Sequence, residues 1–195
     1  MYGKQRRERK MWEIIAQTIG VFAMAFNIWS YQQKQQRYII ALQLLGSALF
    51  TVHFFMLGAY MGGLLNAIGI VRAVVFLCKD KLKSEHFLWL IGFILVYFVC
   101  YALTFTLFGK AFTLPNAIVE ILPVVGMTAT TIAFGCKTAK ATRLLGFISS
   151  PSWLVYNVVS LSIGAICCEV ISIVSIFVGF LRLDRKKSGE VEQDA

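Results

Sequence analysis

Long apolar runs alternate with short polar ones along almost the whole chain. Trp12–Ser30 is the first apolar run, with Gln17 and Asn27 inside it, and Tyr31–Arg37 is a polar break. Tyr38–Leu57 and Met61–Cys78 follow, separated only by a short, uncharged, Gly-containing stretch. Lys79–His86 is polar again, and Phe87–Phe108 is an uncharged run rich in Phe, Leu and Tyr. Three more runs follow, about Asn116–Phe134, Leu144–Ser160 and Ile163–Leu181. The charged loop Cys136–Arg143 divides the first two of these, and a second tight uncharged connection divides the last two. Each run is about 17–22 residues, enough at about 1.5 Å per residue to cross some 30 Å of hydrocarbon. The pattern therefore predicts seven transmembrane helices, with tight hairpins joining the second to the third and the sixth to the seventh. The first run is too long for a signal-peptide core, and no clear small-residue cleavage site follows it, so it reads as a retained span. Pro115 suits the first turn of the fifth span.

The pattern repeats. Lys34-Gln-Gln-Arg37 closes the loop after the first span, and Lys140-Ala-Thr-Arg143 closes the loop after the fifth. Gly46-Ser47 precedes Phe50 and His53 with the gaps by which Ser149-Ser150 precedes Trp153 and Tyr156. Asn66 lies sixteen residues after Phe50, and Glu169 sixteen after Trp153. Spans one to three thus match spans five to seven. Three spans is an odd number, so a directly joined second copy would be inverted, and the fourth span restores the orientation. The expected fold is an all-α membrane protein: seven transmembrane helices as two parallel three-helix bundles joined by a linker helix, a plan found in transporters. Its segments are a basic N-terminal tail (1–10), a first three-helix repeat (11–85), a linker transmembrane helix (86–109), a second three-helix repeat (110–182) and a C-terminal cytoplasmic tail (183–195).

Composition agrees with a membrane reading. Of 195 residues, 58% are hydrophobic and only 15% charged, and the mean hydropathy is +0.71. The net charge of +9 sits in clusters at span ends, not on one exposed face with interleaved aromatics, so no nucleic-acid partner is expected. The partners expected are the lipid bilayer and an unknown small solute, with oligomeric state open and a homodimer among the options. Lys34, Arg37, Lys79, Lys81, Lys83, Lys137, Lys140, Arg143, Arg182, Arg185, Lys186 and Lys187 fall on one side, and apart from the N-terminal tail only Lys110 falls on the other. The positive-inside rule then puts the C-terminus in the cytoplasm and the N-terminus outside. The basic Lys4–Lys10 stretch runs against this locally. Either the remaining loops outvote it, or translation starts at Met11. The five cysteines form no CxxC and have no His at ligand spacing, so they read as small apolar residues.

Polar residues inside apolar runs are the candidate chemistry. Glu169 stands about six residues into its span, and a mid-span acid costs about 2.5–3.5 kcal/mol on insertion scales. It needs a partner, a wet cavity or a proton, unless it reaches for the interface. Glu120 lies one turn before Pro123, whose missing N–H frees a carbonyl and allows a local polar pocket, though an interfacial position is open to it. His53 either switches charge or hydrogen-bonds a neighbouring helix as a neutral ring. Asn66 and Asn157 bind solute or act as interhelical glue. Arg72 reads better as a side chain snorkelling to the cytoplasmic interface than as a site residue. Phe50, His53, Asn66, Trp153, Tyr156, Asn157 and Glu169 make the expected substrate site, with Glu120 and Arg72 an additional polar site. No metal site or cofactor is expected. No Ser-His-Asp set or phosphate-binding loop is visible, and His86 beside Glu85 is weak grounds for catalysis, so no enzymatic activity is expected.

Two resemblances add to this. The three-one-three plan, with an aromatic followed by a polar residue in the next span, resembles the SWEET and semi-SWEET transporters of the PQ-loop group. There a Trp and an Asn from each repeat face the sugar. Carried over, the positions are Phe50 with Asn66 and Trp153 with Glu169, so Phe50 stands for one Trp and Glu169 for one Asn. From Gln17 to Arg182 the chain also resembles the YgjV family of bacterial inner-membrane proteins. The strings VHFFMLGAY, LLNAIGIVR, VEILPVVG and SWLVYN, and Glu169 thirteen residues before Arg182, carry that likeness. It implies a multi-pass inner-membrane protein and brings no activity with it. The function expected is transport of a small neutral or cationic metabolite by alternating access. One acid and no fixed cation in the cavity would favour those solutes. The alternative is a non-transporting partner subunit or sensor.

Overall fold

Apolar surface alone dictates the architecture, because backbone polar groups in hydrocarbon must be satisfied within their own segment. The structure, a computed structural model, describes residues 2–84, 86–136, 138–160 and 162–183. Among these it is wholly helical, without a strand. The helices are α1 (Tyr2–Tyr31), α2 (Gln36–Met56), α3 (Tyr60–Leu77), the single turn α4 (Lys79–Leu82), α5 (Phe87–Thr106), α6 (Leu114–Gly135), α7 (Ala139–Val159) and α8 (Ile163–Leu183). Six of the eight are long and apolar enough to cross a membrane. α7 has the length, at 21 residues, but Lys140, Arg143 and three serines dilute its hydropathy. Much of that polarity is turned inward, with Thr142, Arg143, Ser149 and Ser150 all buried.

Local sequence sets the helix ends. α1 begins well before the apolar run, because Gln, Arg, Glu and Lys are good helix formers and continue it. Its span-capable part is Lys10–Tyr31. α7 starts five residues ahead of the expected span, since the Thr138 hydroxyl accepts from the Ala141 N–H at 3.3 Å and caps it. Thr113 caps α6 in the same way, with Pro115 in its first turn. His86 turns out to be a cap: its Nδ1 accepts from the Leu88 N–H at 3.3 Å, while Glu85 lies outside the described residues. Pro123 and Pro151 sit inside continuous helices. The α2–α3 hairpin closes on Gly58 at φ 72°. The Ala59 N–H bonds to Phe54 O at 2.9 Å and the Gly58 N–H to Phe55 O at 3.1 Å, the paired bonds of a Schellman motif.

Packing makes a ring. α1 lies against α2 and α2 against α3; α6 lies against α7 and α7 against α8; α8 closes onto α1 and α3 onto α6. α5 packs on α3 and α6, and α2 meets α7. The two halves share a register: α2 starts at 36 and α3 at 60, α7 at 139 and α8 at 163, the same offset for both. Phe50 with Trp153, His53 with Tyr156, and Asn66 with Glu169 keep that offset. The Lys34–Arg37 and Lys140–Arg143 match does not. It is displaced by about one turn, because Lys34 precedes α2 whereas Lys140 lies inside α7.

Polar contacts knit one end of the ring. Gln36 Nε2 donates to Ala133 O at 2.8 Å, Gln32 Nε2 to Ser175 O at 2.9 Å, and Arg143 Nη1 to Gln33 O at 3.0 Å. The described basic loop residues gather at this end, while Lys137, Arg185, Lys186, Lys187 and the tail from 184 lie outside the described residues. On the outside, α5 presents Phe87, Leu88, Leu95, Phe98 and Val99, an apolar face suited to lipid.

Close approach inside the second half depends on Gly126. A Cβ there would stand 2.9 Å from the Trp153 ring and 3.2 Å from Ser149 O. Gly126→Ala is expected to destabilise by about 1–3 kcal/mol through overpacking, read as a lower thermal midpoint in detergent. Gly92, with nothing within 4 Å of a Cβ, should tolerate Ala and gain up to about 1 kcal/mol of helix propensity.

Candidate functional site

Within the ring lies a chamber of about 80 Å³ to which all six ring helices contribute. α2 supplies Gln43, Ser47, Phe50 and Phe54, one face at spacings of three and four residues. α7 supplies Ser149, Ser150, Trp153 and Asn157 on the same grid, and α8 supplies Ala165, Glu169 and Ser172. Asn27 and Tyr31 come from α1, Asn66 and Arg72 from α3, and Met127 and Thr130 from α6. Of the sequence-derived residues, Phe50, Asn66, Arg72, Trp153, Asn157 and Glu169 therefore share one wall. Phe54, which the sequence reading passed over, stacks between them, 5.7 Å from Phe50 and 6.3 Å from Trp153 by ring centroids. The hydroxyls it also missed follow the helical period of the aromatics on the same face. That period, more than residue type, was the available signal.

Arg72 is the main correction. It does not snorkel to the interface: it is 4% exposed and turned toward α5 and α6. Its Nη1 donates to Met127 O at 3.1 Å and lies 3.4 Å from both the Thr131 and Tyr97 hydroxyls. The Tyr97 and Thr131 hydroxyls bond each other at 2.8 Å, and the Phe134 ring lies 4.9 Å from the guanidinium carbon. Among the described residues Arg72 has no carboxylate partner. Glu169 is half-buried and faces the chamber. Ser150 and Tyr31 line the same space. The chamber thus carries one acid and one base that are not paired with each other. Asn66 Nδ2 bonds Gly62 O on its own helix at 2.9 Å. Asn157 Oδ1 and Arg72 Nε are buried without a partner.

His53, Tyr156 and Glu120 lie elsewhere. His53 is fully buried against α1, its Nδ1 2.7 Å from Ala16 O. A carbonyl only accepts, so Nδ1 carries the proton and Nε2 is left without a partner. Gly20 makes room for the ring, since a Cβ there would lie 2.8 Å from Nδ1. Tyr156, beside Asn157 on α7, is rotated away by about 100° and borders a second cavity with Glu120. Glu120 is 1% exposed and paired with Lys110 of the α5–α6 turn. No group of metal-ligating side chains occurs among the described residues.

Six span-capable helices, apolar outside and packed about a polar chamber, define a multi-pass integral membrane protein. The family described as "Bacterial inner membrane protein" (Imp-YgjV) matches residues 14–187, and the chain belongs to this YgjV family. "Inner membrane protein YgjV" of Escherichia coli (strain K12) is 30% identical over 155 residues, covering 80% of this chain and 76% of that protein. No solved structure matches the chain. The protein is accordingly a multi-pass protein of the bacterial inner membrane.

The Tyr97–Thr131 bond joins α5 to α6 beneath Arg72. Tyr97→Phe should lower stability by about 0.6–1.7 kcal/mol, the range for interhelical hydrogen bonds in membranes, measured by reversible denaturation in mixed micelles. An unchanged midpoint would mean that the hydroxyl pair contributes nothing to holding Arg72.

Proposed function

We propose that the protein carries a small polar solute across the inner membrane by alternating access. In this reading α7 is a seventh span, and α1–α3 and α6–α8 act as two three-helix bundles joined by α5, rocking about the shared chamber. The basic end faces the cytoplasm, with the N-terminus outside and the C-terminus inside. The observation that carries the proposal is convergence: six helices each turn polar side chains toward one enclosed space. Ionisable residues at membrane depth are rare and tend to mark solute and ion pathways.

Arg72 alters the solute expected. The preference for a neutral or cationic metabolite assumed no fixed cation in the chamber. With Arg72 and Glu169 both on its wall, a neutral or zwitterionic solute is favoured over either ion. Phe50 and Trp153 would pack its apolar part, Asn66 and Asn157 would hydrogen-bond it, and Glu169 would hold an ammonium or a coupling proton. A volume of about 80 Å³ admits a few waters, whereas ligand pockets usually measure about 300–1,000 Å³. A transported solute would therefore need a more open arrangement of the two bundles. The same small volume is what supports the second reading, a non-transporting partner subunit or sensor with a dry core.

Counterflow of labelled glycine, serine and glucose into proteoliposomes tests transport. At least one probe should exchange, and Glu169→Gln and Trp153→Ala should each slow it about tenfold or more, a loss of some 1.4 kcal/mol. Asn157→Cys in a background with the five native cysteines replaced should react with a small water-soluble thiol reagent. No exchange together with no labelling would favour the dry partner or sensor.

A further inference from the structure

At the end of the ring opposite the basic loops lies a cavity of about 440 Å³, within the usual range for ligand pockets. The α2–α3 hairpin, the α5–α6 turn and the end of α7 border it. Its floor is Glu120. One carboxylate oxygen of Glu120 meets Lys110 Nζ, and the other, Oε2, is buried without a partner. An ionised oxygen left so in a low-dielectric site calls for a donor. Lys110 follows Gly109, a turn residue at φ 67°, and its side chain is 37% exposed against 2% for Glu120. The ammonium therefore reaches the acid from outside, as a displaceable cover. Tyr60 and Phe108 form an aromatic wall, stacked with centroids 4.7 Å apart and planes 5° apart. Tyr156 stands within electrostatic range of Glu120, and Thr104 completes the polar lining.

We infer that this cavity is a second binding site, separate from the central chamber, for a small primary ammonium compound with an apolar body. Its N–H donors would satisfy Glu120 Oε2 in place of, or beside, the Lys110 ammonium. Its body would lie against Tyr60 and Phe108, where an aromatic face attracts a cation. The site does not depend on transport. Tyr156 borders it while the next residue, Asn157, borders the chamber, so the two spaces lie on different faces of α7.

Titration of the purified full-length protein in detergent with benzylammonium chloride, followed by thermal midpoint and calorimetry, tests this. The wild type should show a saturable rise, and benzyl alcohol should show none. Glu120→Gln should weaken binding about tenfold or more, and Lys110→Met should tighten it by a similar factor because the competing cation is gone. The opposite signs separate ligand binding from a folding defect. Glu169→Gln, which removes the acid of the central chamber, should lose less of the response than Glu120→Gln. Absence of a saturable response in both the wild type and Lys110→Met overturns the inference, as does equal loss in Glu169→Gln and Glu120→Gln.

Discussion

A guanidinium held in a bilayer-embedded ring, with no carboxylate partner among the described residues, constrains everything around it. A charge at such depth costs about 2.5–3.5 kcal/mol on insertion scales, and it persists only where donors find acceptors. Arg72 finds them on α6 and α5 at once, through Met127 O, Thr131 and Tyr97. The first half of the chain, the middle helix and the second half therefore meet at one side chain. The chamber wall on that side is consequently fixed by hydrogen bonds as well as by packing.

Much of this was readable from the chain. The all-helical, membrane-spanning character and the tight hairpins follow from apolar length, and the common offset of Phe50 with Trp153 and of Asn66 with Glu169 from one spacing that recurs. Those signals are strong because a bilayer permits few alternatives. Side-chain direction was not readable. Arg72 lies five residues before the end of α3, a position from which a long side chain reaches the interface or the interior equally well. Only the placement of α5 and α6 decides, and no local pattern encodes that. Tyr156 and Asn157 are neighbours in sequence and border different cavities, because one residue step turns the helix by about 100°. The displaced Lys-x-x-Arg match shows the opposite error, a coincidence of spacing that helix boundaries correct.

Tightness in the ring is distributed unevenly. Gly20 against His53, Gly46 against Asn27, Gly126 against Trp153 and Gly179 against Tyr31 O all leave less than 3 Å for a Cβ. These contacts fall within each half or between α1 and α8, where helices lie flush and side chains act as wedges.

The seam between α2 and α7 is different in kind. It carries the Phe54–Trp153 stack in place of a hydrogen-bonded knot. In hydrocarbon a broken hydrogen bond has no water to turn to, whereas ring faces lose only dispersion contacts that lipid or other side chains can partly replace. The ring therefore has a latch and a zipper. The α3–α6 side is held by hydrogen bonds, and the α2–α7 contact by ring stacking.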